Sequence, residues 1–193
     1  MTAKMISLLF FLSFINAQIA LPTFQGVHTP HTTSSGTPEN PLQSSGIGTT
    51  SINIAWTWMM GYKFTPQVNG EITHLGGRFN GTKTVRLWSV SSSSSGSFLG
   101  SVSVDANNNW SYAELASSIS VTAGTTYIVA VALNGSGGQY RSAWAGPHTY
   151  GNVTINACVL EPNYNSDTYP TWDYFTYTWA MYGMADVTFV PDE

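Results

Sequence analysis

Charge is what this sequence has least of. Only 8% of its 193 residues are Asp, Glu, Lys or Arg, with six cations against ten anions, net −4 and a sequence pI of about 5.4. Six scattered cations cannot neutralise many phosphates, which excludes a nucleic-acid-binding role. Lys and Glu, which fill the solvent faces of helices, are scarce, and this argues against a cytosolic helical protein. Cysteine is nearly absent. Cys158 stands alone, so the chain is not a mini-domain stapled by internal disulfides. It lies in the apolar stretch Thr154–Leu160 and reads as a small buried hydrophobe rather than a nucleophile. There is no Gly-x-Ser-x-Gly elbow and no Gly-rich phosphate loop ahead of a helix. What is plentiful is aromatic: seven Trp, ten Tyr and nine Phe among Ser, Thr, Asn and Gly. That many rings bury enough area to offset chain entropy, so disorder throughout is excluded.

The N-terminus reads as a secretory signal. Lys4 precedes an apolar run of eleven, Met5–Ile15, and Ala17 is a small residue at a plausible cut. Eleven helical residues span roughly 16 Å, too short for a bilayer core. The alternative is a retained anchor or a buried helix. No later apolar run reaches spanning length, and no Cys follows this one, so neither a membrane span after signal removal nor a lipoprotein anchor is expected. The expected organisation is a signal over 1–17, a flexible arm over 18–50 and one β-sandwich domain over 51–193. The arm is rich in Pro, Gly, Ser and Thr without periodicity, and its His28 and His31 read as solvated rather than as metal ligands.

From Ser51 the chain turns period-two. Ile52, Ile54, Trp56, Trp58, Met60, Tyr62 and Phe64 occupy alternate positions, which predicts one long strand, or two broken near Gly61. Further strands are predicted over Glu71–Phe79, with a bulge at Gly76-Gly77, and over Lys83–Val90 after a turn at Asn80-Gly81. Asn107–Asn109 reads as another turn, Thr125–Leu133 as a central strand apolar on both faces, and Asp186–Val190 as the last strand. His74, in phase with Ile72, is expected buried or half-buried. Eight to ten strands with no convincing helix after the signal give an all-β fold, an antiparallel β-sandwich of jelly-roll or immunoglobulin-like type.

Chemistry is thinly marked. Glu71, Glu114, Glu161, Asp105, Asp167 and Asp173 stand in no motif, while glycoside hydrolysis needs two carboxyls roughly 5–10 Å apart. No enzyme is therefore expected, with a polysaccharide hydrolase or lyase as the minor alternative. No cofactor is expected. Asp105-x-Asn107-x-Asn109 places oxygens alternately but has Trp110 and Ala116 where a calcium loop needs Gly and Glu; a structural Ca²⁺ is the alternative to a plain Asn-rich turn. Three sequons, at Asn80, Asn134 and Asn152, carry no functional reading.

The densest feature is aromatic: Tyr164, Tyr169, Trp172, Tyr174, Phe175, Tyr177, Trp179 and Tyr182. Trp172 and Tyr174 fall in or beside the Pro- and Asp-containing stretch Asp167–Asp173, which reads as a loop. Rings beside Asp and Asn suit a sugar, whose C–H face stacks on the ring while its hydroxyls meet the polar groups. The candidate ligand-binding residues are Trp172, Tyr174, Asp173 and Tyr169, with Trp144 apart from them. The expected partner is a glycan or cell-surface polymer. The alternative is self-assembly into an extracellular fibre or surface layer, with Ile19–Leu21 or Ile52–Ile54 adding a strand to a neighbour.

Gly61–Thr65, Gly70–Thr73, Gly77–Phe79, Val85-Arg-Leu-Trp88, Leu99–Val102, Trp110, Val121-Thr-Ala-Gly-Thr-Thr-Tyr127 and Val187-Thr-Phe189 occur in this order. Over about residues 55 to 190 the chain resembles a bacterial extracellular β-sandwich family classed as a domain of unknown function. That family is found in secreted and cell-surface proteins beside fibronectin-type and glycoside-hydrolase modules. The Thr-Ala-Gly-Thr-Thr-Tyr run and the Leu-Trp strand are the most specific matches, although Ser118-Ile-Ser120 stands where the family often has Pro. The resemblance implies an extracellular or cell-surface β-sandwich and assigns no catalytic residue.

Overall fold

The structure, a computed structural model, describes residues 35–193 except 145, 163–166, 168, 171 and 174–179, and for Trp172 and Asp173 the backbone alone. In chain order come one helical turn, α1 (Pro41–Ser44), and eleven strands: β1 (Ser51–Ile54), β2 (Met59–Pro66), β3 (Gly70–Ser92), β4 (Ser95–Val121), β5 (Tyr127–Ala132), β6 (Gly138–Ser142), β7 (His148–Tyr150), β8 (Val153–Glu161), β9 (Trp172–Asp173), β10 (Ala180–Tyr182) and β11 (Ala185–Pro191). All pairings are antiparallel, and the sheets pack as a sandwich. One sheet has the order β11-β3-β5-β2-β8-β7, with β4 on β3 and β9 on β8; a second has the order β1-β6-β10.

The β3–β4 hairpin organises the larger sheet. A strand of 23 residues would run about 75 Å if straight, far beyond the usual strand length. It bends instead. Its first part, Gly70–Gly77, pairs with β11, and its later part, Thr84–Ser89, pairs with β5, while β4 follows it throughout. The bend falls where turns were expected. Asn80-Gly81 and Asn107–Asn109 lie opposite each other inside the paired hairpin, with a register shift between Arg78 and Asn80. Gly81 has φ +79° and Asn108 φ +58°, the left-handed geometry those residue types tolerate. A second shift between Ile72 and His74 flips the side-chain parity. Leu75 is thereby turned into the core, and His74 is half-buried.

The expected strand from Ile52 to Phe64 is two strands, broken at residues 55–58 rather than at Gly61, and the two belong to different sheets. Gly61 stays inside β2 because backbone approaches it closely: a Cβ there would lie 1.9 Å from the Val129 carbonyl oxygen.

Both faces of the larger sheet carry apolar clusters. Tyr62, Phe64, Leu75, Phe79, Val85, Leu87, Val129, Val131, Ile155, Val187 and Phe189 pack between the layers. On the other face Met59, Trp88, Ile128, Ala130, Val159 and Tyr169 form a smaller cluster. The central strand expected over Thr125–Leu133 is buried along the whole of β5. Cys158 is buried, in no disulfide.

The described part of the expected arm, residues 35–50, is packed against the sandwich. Glu39 and Phe189 exchange backbone hydrogen bonds of 2.7 and 2.8 Å, and the Gly36 N–H donates to the Pro191 carbonyl at 3.1 Å. The Glu39 carboxylate accepts from Asn152 through its backbone N–H (2.8 Å) and its side-chain amide (2.7 Å). Leu42 in α1 is fully buried. His28, His31 and the signal segment lie outside the described residues.

Candidate functional site

Of the five residues expected to bind a ligand, Tyr174 lies outside the described residues. Trp172 and Asp173 form β9, paired with Leu160 and Val159 of β8. The end of the stretch read as a loop, Trp172–Asp173, therefore lies along the larger sheet. Tyr169 is 8% exposed within the smaller apolar cluster, its hydroxyl donating to the Ser92 carbonyl at 3.2 Å. Its ring occupies the space a side chain at Gly96 would need. Asp167 accepts from the Arg86 Nε at 2.8 Å, and its carbonyl accepts from the Trp88 indole at 3.1 Å. Trp144 is 6% exposed, in edge contact with His148, and its indole N–H is buried without a partner. Tyr169 and Trp144 thus offer little ring surface to solvent, because each packs where a sheet face needs apolar cover.

A different set of rings converges on the small sheet. Tyr140 of β6 lies directly across from Tyr182 of β10, and their rings stack at 5.6 Å and 16°. Trp56, in the break between β1 and β2, contacts both, with centroids 5.8 Å from Tyr140 and 5.6 Å from Tyr182. Two backbone features hold it there. The Gly135 N–H donates to the Trp56 carbonyl at 2.7 Å, and Gly138 leaves room for the indole, since a Cβ would lie 2.9 Å from Trp56 Cε3. All three rings are half-buried. Trp56 and Tyr182 also lean on the main core. Such a cluster can present ring faces to an apolar C–H surface while its hydroxyls and indole N–H remain hydrogen-bonding groups. Sequence reasoning missed it as a unit: its members are 84, 126 and 42 residues apart, and no local motif joins them.

The carboxylates are dispersed. Glu114 lies across from His74 in the β3–β4 pairing, and Asp105 accepts from the Thr82 hydroxyl at 3.2 Å. Asn109 donates to the Asn107 carbonyl at 3.1 Å inside the hairpin bend. Among the described residues no group of three or more His, Cys, Asp or Glu is placed to hold a metal ion. No helix among them is long and apolar enough to cross a membrane.

The most engaged carboxylate, Asp186, was not singled out in the sequence. It is fully buried and accepts from the Tyr62 hydroxyl (2.6 Å), the Tyr112 hydroxyl (2.8 Å) and the backbone N–H groups of Leu42 (3.2 Å), Gln43 (2.9 Å) and Val187 (3.0 Å). Burial pushes its carboxyl above the usual range, while these hydrogen bonds pull the other way. Burial also raises both phenols far above their ordinary value, reinforced by the Asp186 charge. A perturbed group can mark a catalytic site. Here its donors come from α1, β2, β4 and β11, so it ties four elements together.

No curated protein matches the chain. The domain-of-unknown-function family DUF4082 matches residues 49–182, which run from just before β1 to the end of β10 and so include all three rings of the small-sheet cluster. The chain belongs to that family, and the expected resemblance to a domain-of-unknown-function β-sandwich holds at that level.

Proposed function

We propose that this chain is a secreted, non-catalytic β-sandwich module that binds carbohydrate or related cell-surface material. The observation that carries the reading is the convergence of Trp56, Tyr140 and Tyr182 as half-buried rings on the three-stranded sheet. Exposed Thr57 beside Trp56 and half-buried Arg141 beside Tyr140 add polar groups at its edge. The signal-like segment over 1–17 supplies the extracellular setting. Fibre assembly through Ile52–Ile54 has less support, because that segment already pairs with β6, and a register shift with φ +57° at Asn53 interrupts it.

The test is a glycan array with polysaccharide pull-down on the native chain, Tyr140→Ala and Trp172→Ala. Loss of one stacking ring should weaken binding about three- to tenfold. Absence of binding to any glycan, or unchanged binding in both variants, would overturn the assignment.

A further inference from the structure

Two of the six cations in this chain, Lys83 and Arg86, line one small cleft. It measures about 140 Å³ and is lined by Thr82, Lys83, Thr84 and Arg86 of β3, Ser103 of β4, and Asn134 just after β5. Both cations are largely withdrawn from water, Lys83 at 5% and Arg86 at 8% exposure. Arg86 uses its Nε on Asp167, yet its Nη1 is buried with no hydrogen-bond partner. A buried guanidinium donor left bare is costly, and an incoming acceptor removes that cost. Lys83 donates to Asn134 Oδ1 and, at 3.4 Å, to Ser136 Oγ, both neutral. Burial lowers its pKa, a penalty that a nearby anion would offset. Thr82, Thr84 and Ser103 bring hydroxyls to the same walls. The acids at hand are Asp167, already on Arg86, and Asp105, which accepts from Thr82.

The volume limits the guest. Sites for whole small molecules run from about 300 Å³ upward. A cleft of this size takes one charged group and the carbon that carries it. Its position suggests what that group is attached to. Asn134 is followed by Gly135, whose N–H donates to Trp56 of the ring cluster, and Gly137 accepts from the Asn80 N–H. The cleft and the rings thus flank one short loop.

We infer that this cleft is a subsite for the negatively charged group of an acidic glycan, a sugar carboxylate or sulfate ester, with Arg86 and Lys83 as its cationic walls. The inference rests on the carbohydrate-binding reading above and narrows it to acidic polymers.

The experiment uses the full chain labelled with ¹⁵N, titrated separately with galacturonate, galacturonate methyl ester and glucose 6-sulfate. Galacturonate, glucose 6-sulfate or both should shift the amides of Thr84, Ser103 and Asn134 saturably, while the uncharged ester should not. The arm that responds identifies the oxyanion. Ser103→Asp puts a like charge at an exposed position, where folding is not at stake, and should weaken the interaction about tenfold or more. Arg86→Lys should weaken it too, because a point charge cannot replace the planar fork. Equal shifts with acid and ester, shifts confined to other amides, or a response that Ser103→Asp leaves intact would overturn the inference. A parallel pull-down compares polygalacturonate with its methyl-esterified form. Cleft shifts in a chain that binds neither polymer would sustain the cleft and sink the ring-cluster reading. Equal binding of both polymers, weakened by Tyr140→Ala, would do the reverse.

Discussion

Tyr62 and Tyr112 hold the most informative hydroxyls in the molecule. Tyr62 is fully buried and Tyr112 half-buried; each donates to Asp186 and has its ionisation pushed far above the ordinary phenol value of 10.0. A group whose folded pKa exceeds its unfolded value contributes stability that is complete below the unfolded pKa. Stability from this pair should therefore be intact below pH 10 and fall as pH rises beyond it. Absorbance at 295 nm across an alkaline titration should show at least two of the ten tyrosines, Tyr62 and Tyr112, silent at pH 11 in the folded chain. All ten ionising together near pH 10, with the fold intact by circular dichroism, would contradict this account. The Asp186 carboxyl, raised from 3.8 mainly by desolvation, acts in the same sense at acid pH: its contribution falls as pH climbs above about 4. None of this was legible in the sequence. The partners of Asp186 stand 74, 124, 143 and 144 residues away, and a single Asp before an apolar run looks like a solvated strand end.

The strands were legible as segments and not as partners. Period-two alternation marked Ile52–Phe64, which holds most of β2, and strand signals marked Glu71–Phe79 and Lys83–Val90, both of which fall within β3. It could not show that Asn80-Gly81 bends a continuous strand, since a tight hairpin turn and a mid-strand bend demand the same left-handed backbone. Nor could it separate Trp56 from the strand that follows, because the break at 55–58 is held by bonds to Leu133 and Gly135, far along the chain. The stretch Asp167–Asp173 read as a loop for its Pro and Asp, yet Tyr169 packs on a sheet face and Trp172–Asp173 pairs with β8. Within β2, Gly61 is fixed by close backbone rather than by a turn. Gly61→Ala should cost about 3 kcal/mol, since a methyl group would press on the Val129–Ala130 backbone. Urea unfolding measures it, and a variant as stable as the parent would refute the close approach.

Across the whole molecule, the all-β sandwich was readable from the succession of strand signals with no helix among them, while the packing of residues 35–50 was not. Residues 35–50 carry the Pro, Gly and Ser of a linker, but Glu39, Asn40 and Leu42 each engage the last strand or its neighbours. A chain begun at Ser51 would lose the Leu42 burial and leave Asp186 short of two N–H donors. It should be less stable than the full chain by at least about 3 kcal/mol, seen as a lower midpoint in thermal unfolding. An unchanged midpoint would mean the segment adds nothing. The same contacts fix where the chain enters and leaves. Gly36 bonds Pro191, and Glu39 bonds Phe189, so the first and last described segments lie side by side as paired backbone. A polymer pulling on this domain through its two ends would open that short zipper bond by bond before the load passed to the pairing of β11 with β3.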